Sequence, residues 1–509
     1  MSTDSAATPA KQIAAGYKVE GQALELGTVV VDGAPNPAAQ VRIPLATVNR
    51  HGLVAGATGT GKTKTLQLIA EQLSAAGVPV LMADVKGDLS GLARPGESSD
   101  KITARAKETG ETWEPAGFPV EFLSLGTGGI GVPVRATIAS FGPILLSKVL
   151  GLNATQESTL GLIFHWAEQQ NYELLDLKDL RAVISYLTSD AGKAELKSLG
   201  GVSATTAGVI LRALVNLEAE GANTFFGEPE LKTEDLVRID DKGRGVISLL
   251  ELGDQAARPV LFSTFLMWLL SDLFKSMPEI GDVDKPKLVF VFDEAHLLFT
   301  DASKAFLEQV EQTVKLIRSR GVGVFFCTQL PTDIPNDVLS QLGARIQHAL
   351  RAFTPDDQKA LTKTVRTYPK TDVYDLASAL TSLGIGEAVV TVLSERGAPT
   401  PVAWTRLRSP RSMMAAIGND AIAKAAKASP LHAKYGQTVD RESAYEKITA
   451  KLAQSAEAEK SGERGKPAAE KKKPGWFTRF VNSRGFQTFL NAIGRELIRS
   501  MLGSGRRRR

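Results

Sequence analysis

Short apolar runs that end in polar residues recur along the chain and alternate with stretches of helical spacing. Seven such runs lie at residues 51–55, 78–84, 120–125, 246–250, 288–292, 322–327 and 345–350. Apolar runs of this length are typical of strands that are buried on both faces, as in parallel sheets. Their alternation with helices predicts an α/β fold with a mostly parallel sheet between helical layers.

Three regions depart from this alternation. Residues 136–227 show helical periodicity without a strand pattern, which predicts a helical insertion. Residues 17–48 and 387–407 each hold two short strand patterns separated by turn residues, and each predicts a β hairpin.

The run at 51–55 leads into a glycine-rich loop, and the loop leads into a helical pattern that stops at Gly77. The loop reads Gly56-Ala57-Thr58-Gly59-Thr60-Gly61-Lys62-Thr63. This is the phosphate-loop pattern in its expected context, with backbone N–H groups and a helix N-terminus facing the anion. Lys62 would reach the β- and γ-phosphates, Thr63 would ligate Mg²⁺, and Thr65 completes the predicted nucleotide-binding set. The sequence therefore predicts a site for ATP and Mg²⁺.

Polar side chains follow three of the other predicted strands. Asp293 and Glu294 come directly after residues 288–292, which suits a carboxylate in the Mg²⁺ shell and a second carboxylate that polarises the attacking water. Gln329 follows the next strand and is a candidate sensor of the γ-phosphate. A further polar cluster, residues 84–88, lies where ligands sit in open α/β sheets. This set predicts hydrolysis of the bound nucleotide.

Arginines that complete a neighbouring subunit's site are a feature of ring-forming ATPases. Four arginines stand near the strands that follow Glu294, and the pattern alone does not select one of them: Arg318, Arg320, Arg345 and Arg351.

Composition and charge add two expectations. Cys327 is the only cysteine among 509 residues and no secretory signal pattern is present, so we expect a reducing, cytoplasmic location. Residues 471–509 contain eleven basic residues and one acidic residue, a net charge of +10 against +4 for the whole chain. The body is therefore mildly acidic, and generic attraction to anions is concentrated in the C-terminal residues.

These motifs, in this order, resemble those of the bacterial HerA-like ATPases, a branch of the HerA/FtsK superfamily. The resemblance runs from about residue 17 to a closing motif at 494–503. It implies a RecA-like ATPase core, a hexameric ring and, in the best-known members, pumping or unwinding of DNA. It also supports Gln329 as the γ-phosphate sensor and points to Arg345 or Arg351 as the arginine that acts in trans. One departure argues against a nuclease partnership. Archaeal HerA proteins carry a sizeable N-terminal β-barrel that docks nucleases, whereas about 50 residues precede the phosphate loop here.

We divide the chain into six segments on these grounds. They are a disordered N-terminus (1–16), the first part of the P-loop ATPase domain (17–135), the helical insertion (136–227), the second part of the ATPase domain (228–430), a helix with a basic linker (431–475) and a basic amphipathic helix (476–509). The last segment has apolar residues at steps of three or four, and it suits either docking on the ATPase body or contact with an anionic membrane or with phosphates.

Three functions remain open at this point. The resemblance favours an ATP-driven DNA translocase or helicase. The basic C-terminal helix fits an ATPase that acts on protein or membrane-associated partners, and slow turnover would indicate a nucleotide-dependent scaffold. Stimulation of hydrolysis by DNA would favour the first function, and stimulation by lipid or a protein partner would favour the second. Slow hydrolysis that neither stimulates would favour the third.

Overall fold

The computed structural model describes residues 3–197, 200–253, 259–281, 283–299 and 304–460. Within these ranges the strands form one twelve-stranded sheet. The strands are β1 (Ala23–Val31), β2 (Ala34–Pro44), β3 (Gly52–Ala55), β4 (Val80–Asp84), β5 (Val120–Leu125), β6 (Val132–Val134), β7 (Ile247–Glu251), β8 (Leu288–Phe292), β9 (Val322–Thr328), β10 (Ala344–Gln347), β11 (Glu387–Thr391) and β12 (Ala403–Leu407).

The sheet is mostly parallel, as the apolar runs predict. Its order is β2-β1-β12-β11-β10-β3-β9-β8-β4-β7-β5-β6. The strands from β10 to β6 run parallel to one another, and the other four pair in antiparallel fashion at one edge. All residues of β3, β4, β8 and β9 are buried. The carboxyl ends of the parallel strands therefore share one edge, where the polar residues of the motifs gather.

Both predicted hairpins are confirmed, and they join the main sheet. β1 pairs with β2, β11 pairs with β12, and β1 then pairs with β12. Gly27 lies at this junction, where a Cβ atom would stand 2.0 Å from the backbone oxygen of Arg406. Glycine is therefore required there, and the N-terminal hairpin extends the sheet.

The helices cover this sheet and form the insertion. They are α1 (Thr3–Ala15), α2 (Lys62–Ala75), α3 (Asp100–Thr109), α4 (Ile138–Val149), α5 (Ala154–Gln169), α6 (Leu177–Thr188), α7 (Ala204–Ala219), α8 (Pro259–Ser276), α9 (His296–Phe299), α10 (Lys304–Ile317), α11 (Asn336–Leu339), α12 (Pro355–Val365), α13 (Leu376–Ser382), α14 (Asn419–Ala428), α15 (Pro430–Tyr435) and α16 (Ala444–Lys460). None of the helices in the described ranges is both long enough and apolar enough to cross a bilayer.

The predicted helical insertion is present as α4 to α7, between β6 and β7. α5 and α6 begin with capping boxes at Asn153 and Asp176, which satisfy N–H groups at the helix start. Trp166 and Tyr186 pack with ring centroids 5.7 Å apart inside the insertion. Its apolar spacing was therefore a reliable guide to a helical core.

The prediction of disorder for residues 1–16 is wrong for the described part. α1 buries Ala10 and Ile13, and the Tyr17 hydroxyl donates to the carbonyl oxygen of Pro401 at 2.6 Å. Residues 10 and 13 share one face of α1, and Tyr17 follows in the turn after it, so a mostly polar segment still buries apolar side chains.

The chain separates into a unit of residues 1–452 and a unit of residues 453–509. α16 continues to Lys460, so the first residues of the predicted basic linker are helical. The remainder of that linker and the predicted helix at 476–509 lie outside the described residues.

Two buried histidines make the stability of the fold dependent on pH. His51 accepts a hydrogen bond from the Val324 N–H at 3.1 Å and donates to the Val314 carbonyl at 2.8 Å, so its ring is neutral. Burial lowers the pKa of His51, and that of His348, from 6.5 to about 4. The unfolded chain binds these protons more readily. Each histidine should therefore lower the free energy of unfolding by about 3 kcal/mol as pH drops from 6.5 to about 4. Buried carboxyl groups with raised pKa values, Asp84 and Glu251, act in the opposite direction.

Chemical denaturation at a series of pH values checks this expectation. His51→Gln should remove its own share of the slope and leave that of His348. A His51→Gln variant whose stability changes with pH just as the parent's does would contradict the assignment of a neutral, buried ring at His51.

Candidate active site

The glycine-rich loop connects β3 to α2 and is anchored to the strands on both sides of β3. The Gly56 N–H donates to Thr328 on β9 at 3.2 Å, and the Ala57 N–H donates to Ala349 after β10 at 2.8 Å. Gly56 has φ +150°, and a Cβ atom there would stand 2.5 Å from the Cβ atom of His348. The first glycine is therefore fixed by both conformation and space.

The residues predicted to bind nucleotide lie together on this loop and on the first turn of α2: Gly56, Ala57, Thr58, Gly59, Thr60, Gly61, Lys62, Thr63 and Thr65. Lys62 Nζ donates to the Ala57 carbonyl at 3.2 Å, so the ammonium lies across the loop. The Thr65 hydroxyl is hydrogen-bonded to His348 Nε2 at 2.9 Å, which ties α2 to the residue after β10. The arrangement presents the N-terminus of α2 towards an anion.

Asp293 and Glu294 follow β8, which is separated from β3 by β9 alone. Both residues are buried, and Asp293 Oδ1 accepts the Glu294 N–H at 2.9 Å. Burial, together with the charge of Glu294, raises the pKa of Asp293. The Asp293 carboxylate and the half-buried Thr63 hydroxyl supply hard oxygen atoms, the donor type that Mg²⁺ prefers.

The polar cluster at the end of β4 adjoins Asp293 and Glu294, because β4 is the neighbour of β8 in the sheet. The Asp84 carboxylate accepts the N–H groups of Lys86, Gly87 and Leu89 at 3.2, 2.8 and 2.8 Å, and so shapes the loop. Lys86 Nζ then pairs with Glu294 Oε1. Sequence reasoning noted the cluster and its position but did not assign this partner.

Gln329 follows β9 and is exposed. It lines a cavity of about 350 Å³ with His296, Phe299, Leu330 and Asp333. His296 opens the helix after Glu294, and its Nδ1 atom lies 3.4 Å from Glu294 Oε2. His296 therefore connects the two predicted residues: it lines the cavity together with Gln329 and it contacts Glu294.

The two arginines favoured in the sequence occupy different positions. Arg345 lies on β10, opposite Leu53 of β3, and its guanidinium donates to Thr367 O at 3.1 Å. Arg351 follows β10, and its Nη2 atom lies 3.5 Å from the carbonyl oxygen of Thr58 in the loop of its own chain. Arg318 and Arg320 form the turn before β9, and Arg320 stacks on the Phe274 ring.

A row of carboxyl groups continues along the sheet edge beyond Asp293. Asp84 ends β4 and Glu251 ends β7, and the two are register partners. Burial raises the pKa of Asp84 to about 6 and that of Glu251 to about 8. Sequence reasoning missed Glu251 and His348, since only the strand order shows that they adjoin the site.

This fold and this loop define the class of the protein, which is a P-loop ATPase. The sequence model of the family described as "Helicase HerA-like C-terminal" matches residues 30–509. The chain belongs to this family, and the resemblance inferred from the motifs is confirmed.

Relatives and solved structures agree with this assignment. The chain is 22% identical over 381 residues to the DNA double-strand break repair helicase HerA of Saccharolobus solfataricus, across 74% of this chain and 67% of that protein. It is 21% identical over 373 residues to the protein of the same name from Sulfolobus acidocaldarius, across 69% of this chain and 64% of that protein. The plasmid coupling protein TrwB, solved with a non-hydrolysable GTP analogue, matches with a TM-score of 0.51 and 14% identity, across 79% of this chain and 94% of that one. The chain thus shares the TrwB fold and spans about two thirds of the length of these HerA proteins.

Proposed function

We propose that the chain is an ATP-driven motor of the HerA type that moves along or unwinds double-stranded DNA in the cytoplasm. The observation that carries this proposal is the placement of Glu294 directly after Asp293, one strand away from β9 and two from the phosphate loop. A buried carboxylate in that position fits hydrolysis of a bound nucleoside triphosphate.

Each predicted residue has a role in this proposal. Lys62 and the N–H groups of the loop bind the phosphates of ATP, and Thr63 and Asp293 hold Mg²⁺. When bound, Mg²⁺ neutralises charge on the β- and γ-phosphates. Glu294 accepts the proton of the attacking water, and Gln329 orients that water from the end of β9.

DNA and a ring enter the proposal through the family. Both HerA relatives are DNA double-strand break repair helicases by name. In a hexameric ring we assign Arg345 to the site of a neighbouring subunit, since the Arg351 side chain lies at the loop of its own chain. Because the body of the chain is mildly acidic, local loops of the ring would make the contacts with DNA phosphates.

The test is ATP turnover by the full chain with and without duplex DNA, beside a mass measurement with nucleotide. We expect turnover to rise with DNA and the mass to correspond to a hexamer. Stimulation by anionic vesicles alone would instead favour a membrane-associated partner, and unstimulated, slow turnover would favour a scaffold.

A further inference from the structure

The side chain of Glu294 is held by a residue from the β4 side, and β4 lies on the opposite side of β8 from the phosphate loop. The strand order in this region is β3-β9-β8-β4. The phosphate loop follows β3, Glu294 follows β8, and Lys86 follows β4. The ion pair between Lys86 Nζ and Glu294 Oε1 therefore draws the carboxylate towards β4, whereas the attacking water must lie towards β9 and β3.

The backbones at both ends of this pair are fixed. Glu294 has φ +49°, a conformation that is strained for a residue with a side chain. It is retained because the Glu294 N–H bonds to Asp293 and the next N–H, that of Ala295, donates to Cys327 O at 2.7 Å. On the other side, Asp84 holds the loop that carries Lys86. Release of Glu294 thus requires movement of side chains alone: Lys86 must leave Oε1, and Oε2 must move from its position 3.4 Å from His296 Nδ1.

The two partners differ in their access to solvent. The Lys86 side chain is 48% exposed, while that of Glu294 is 9% exposed. The ammonium group is a mobile point charge on a long stem, so it can leave the pair for an anion in solution. Phosphates of nucleic acid are anions that lysine binds in this way. Because the ammonium group stays accessible to solvent within the pair, an anion can approach it while Glu294 is still bound.

We propose that Lys86 is a positioning residue that restrains Glu294, and that DNA phosphates compete for its ammonium group and so release Glu294 for hydrolysis. The restraint on Glu294 is read from the ion pair and the strand order. The identity of the competing anion rests on the proposed function. Lys86 would in this way couple the binding of DNA to the rate of ATP turnover.

The experiment compares Lys86→Met, Lys86→Arg and the parent at saturating ATP, with and without duplex DNA. Loss of the ammonium should raise the DNA-free kcat by about fivefold and reduce the factor by which DNA stimulates turnover, with KM for ATP unchanged. Lys86→Arg keeps the cation and should retain low DNA-free turnover. Lys101→Met, which removes one charge from an exposed position on α3, should behave as the parent.

Each other outcome overturns a defined part of the proposal. An unchanged or lower DNA-free kcat in Lys86→Met, with the parent still stimulated by DNA, overturns the restraint and leaves the proposed function intact. A raised KM for ATP assigns Lys86 to the nucleotide and overturns it as well. A parent without DNA stimulation contradicts the proposed function and overturns DNA as the releasing anion. Lys86→Gln replaces Lys86→Met if the latter does not fold.

Discussion

Glu294→Gln should lower kcat for ATP hydrolysis by about 10²- to 10⁴-fold, because the amide cannot accept the proton of the attacking water. The substitution keeps the size of the side chain. The hydrogen bond that residue 294 donates to the Asp293 carboxylate comes from its backbone N–H, so it is retained. ATP binding, measured by equilibrium titration of a fluorescent ATP analogue, should therefore remain. Loss of the Lys86 ion pair should not restore turnover, since the base itself is missing.

Lys62→Ala provides the contrasting result. Its ammonium lies across the loop and is assigned to the phosphates, so this variant should lose both binding and turnover. Glu308→Gln, the same change at an exposed position on α10, is the matched control and should retain the parent's rate. Turnover by Glu294→Gln equal to that of the parent would remove Glu294 from the mechanism.

Removal of the arginine that acts in trans should reduce kcat by about 10³-fold and be rescued in mixed rings. Arg345→Ala subunits keep an intact phosphate loop, and Lys62→Ala subunits keep an intact Arg345. Rings that contain both should regain part of the activity at interfaces that combine the two intact halves. Turnover against mixing ratio measures this rescue.

Arg351→Ala serves as the comparison in the same experiment. Because Arg351 lies 3.5 Å from Thr58 in its own chain, its loss should not be rescued by Lys62→Ala subunits. Rescue of Arg351→Ala instead of Arg345→Ala would exchange the two assignments. Full activity of both variants, or of a monomer, would contradict a shared site.

The elements that carry the candidate site were predictable because their signals are local. The phosphate loop, the strand before it and the helix after it are contiguous, and β8 with Asp293 and Glu294 is an apolar run followed by two carboxylates. Apolar periodicity likewise predicted the helices of the insertion. Each signal needed only neighbouring residues, so the sequence was sufficient for it.

What could not be predicted depends on strand order. Lys86 and Glu294 are 208 residues apart in sequence and meet only because β4 and β8 are neighbours in the sheet. The join between β1 and β12 and the contact of His348 with Thr65 have the same origin. α1 was missed for a different reason, since its few apolar residues are hidden in a polar composition.

The measurement that tests the central claim most directly is ATP turnover as a function of duplex length, at a constant concentration of base pairs. A motor that moves along DNA stays engaged longer on longer duplexes, so turnover should rise with length and then level off. Glu294→Gln should show no turnover at any length. Turnover by the parent that is the same without DNA and at every duplex length would contradict the account.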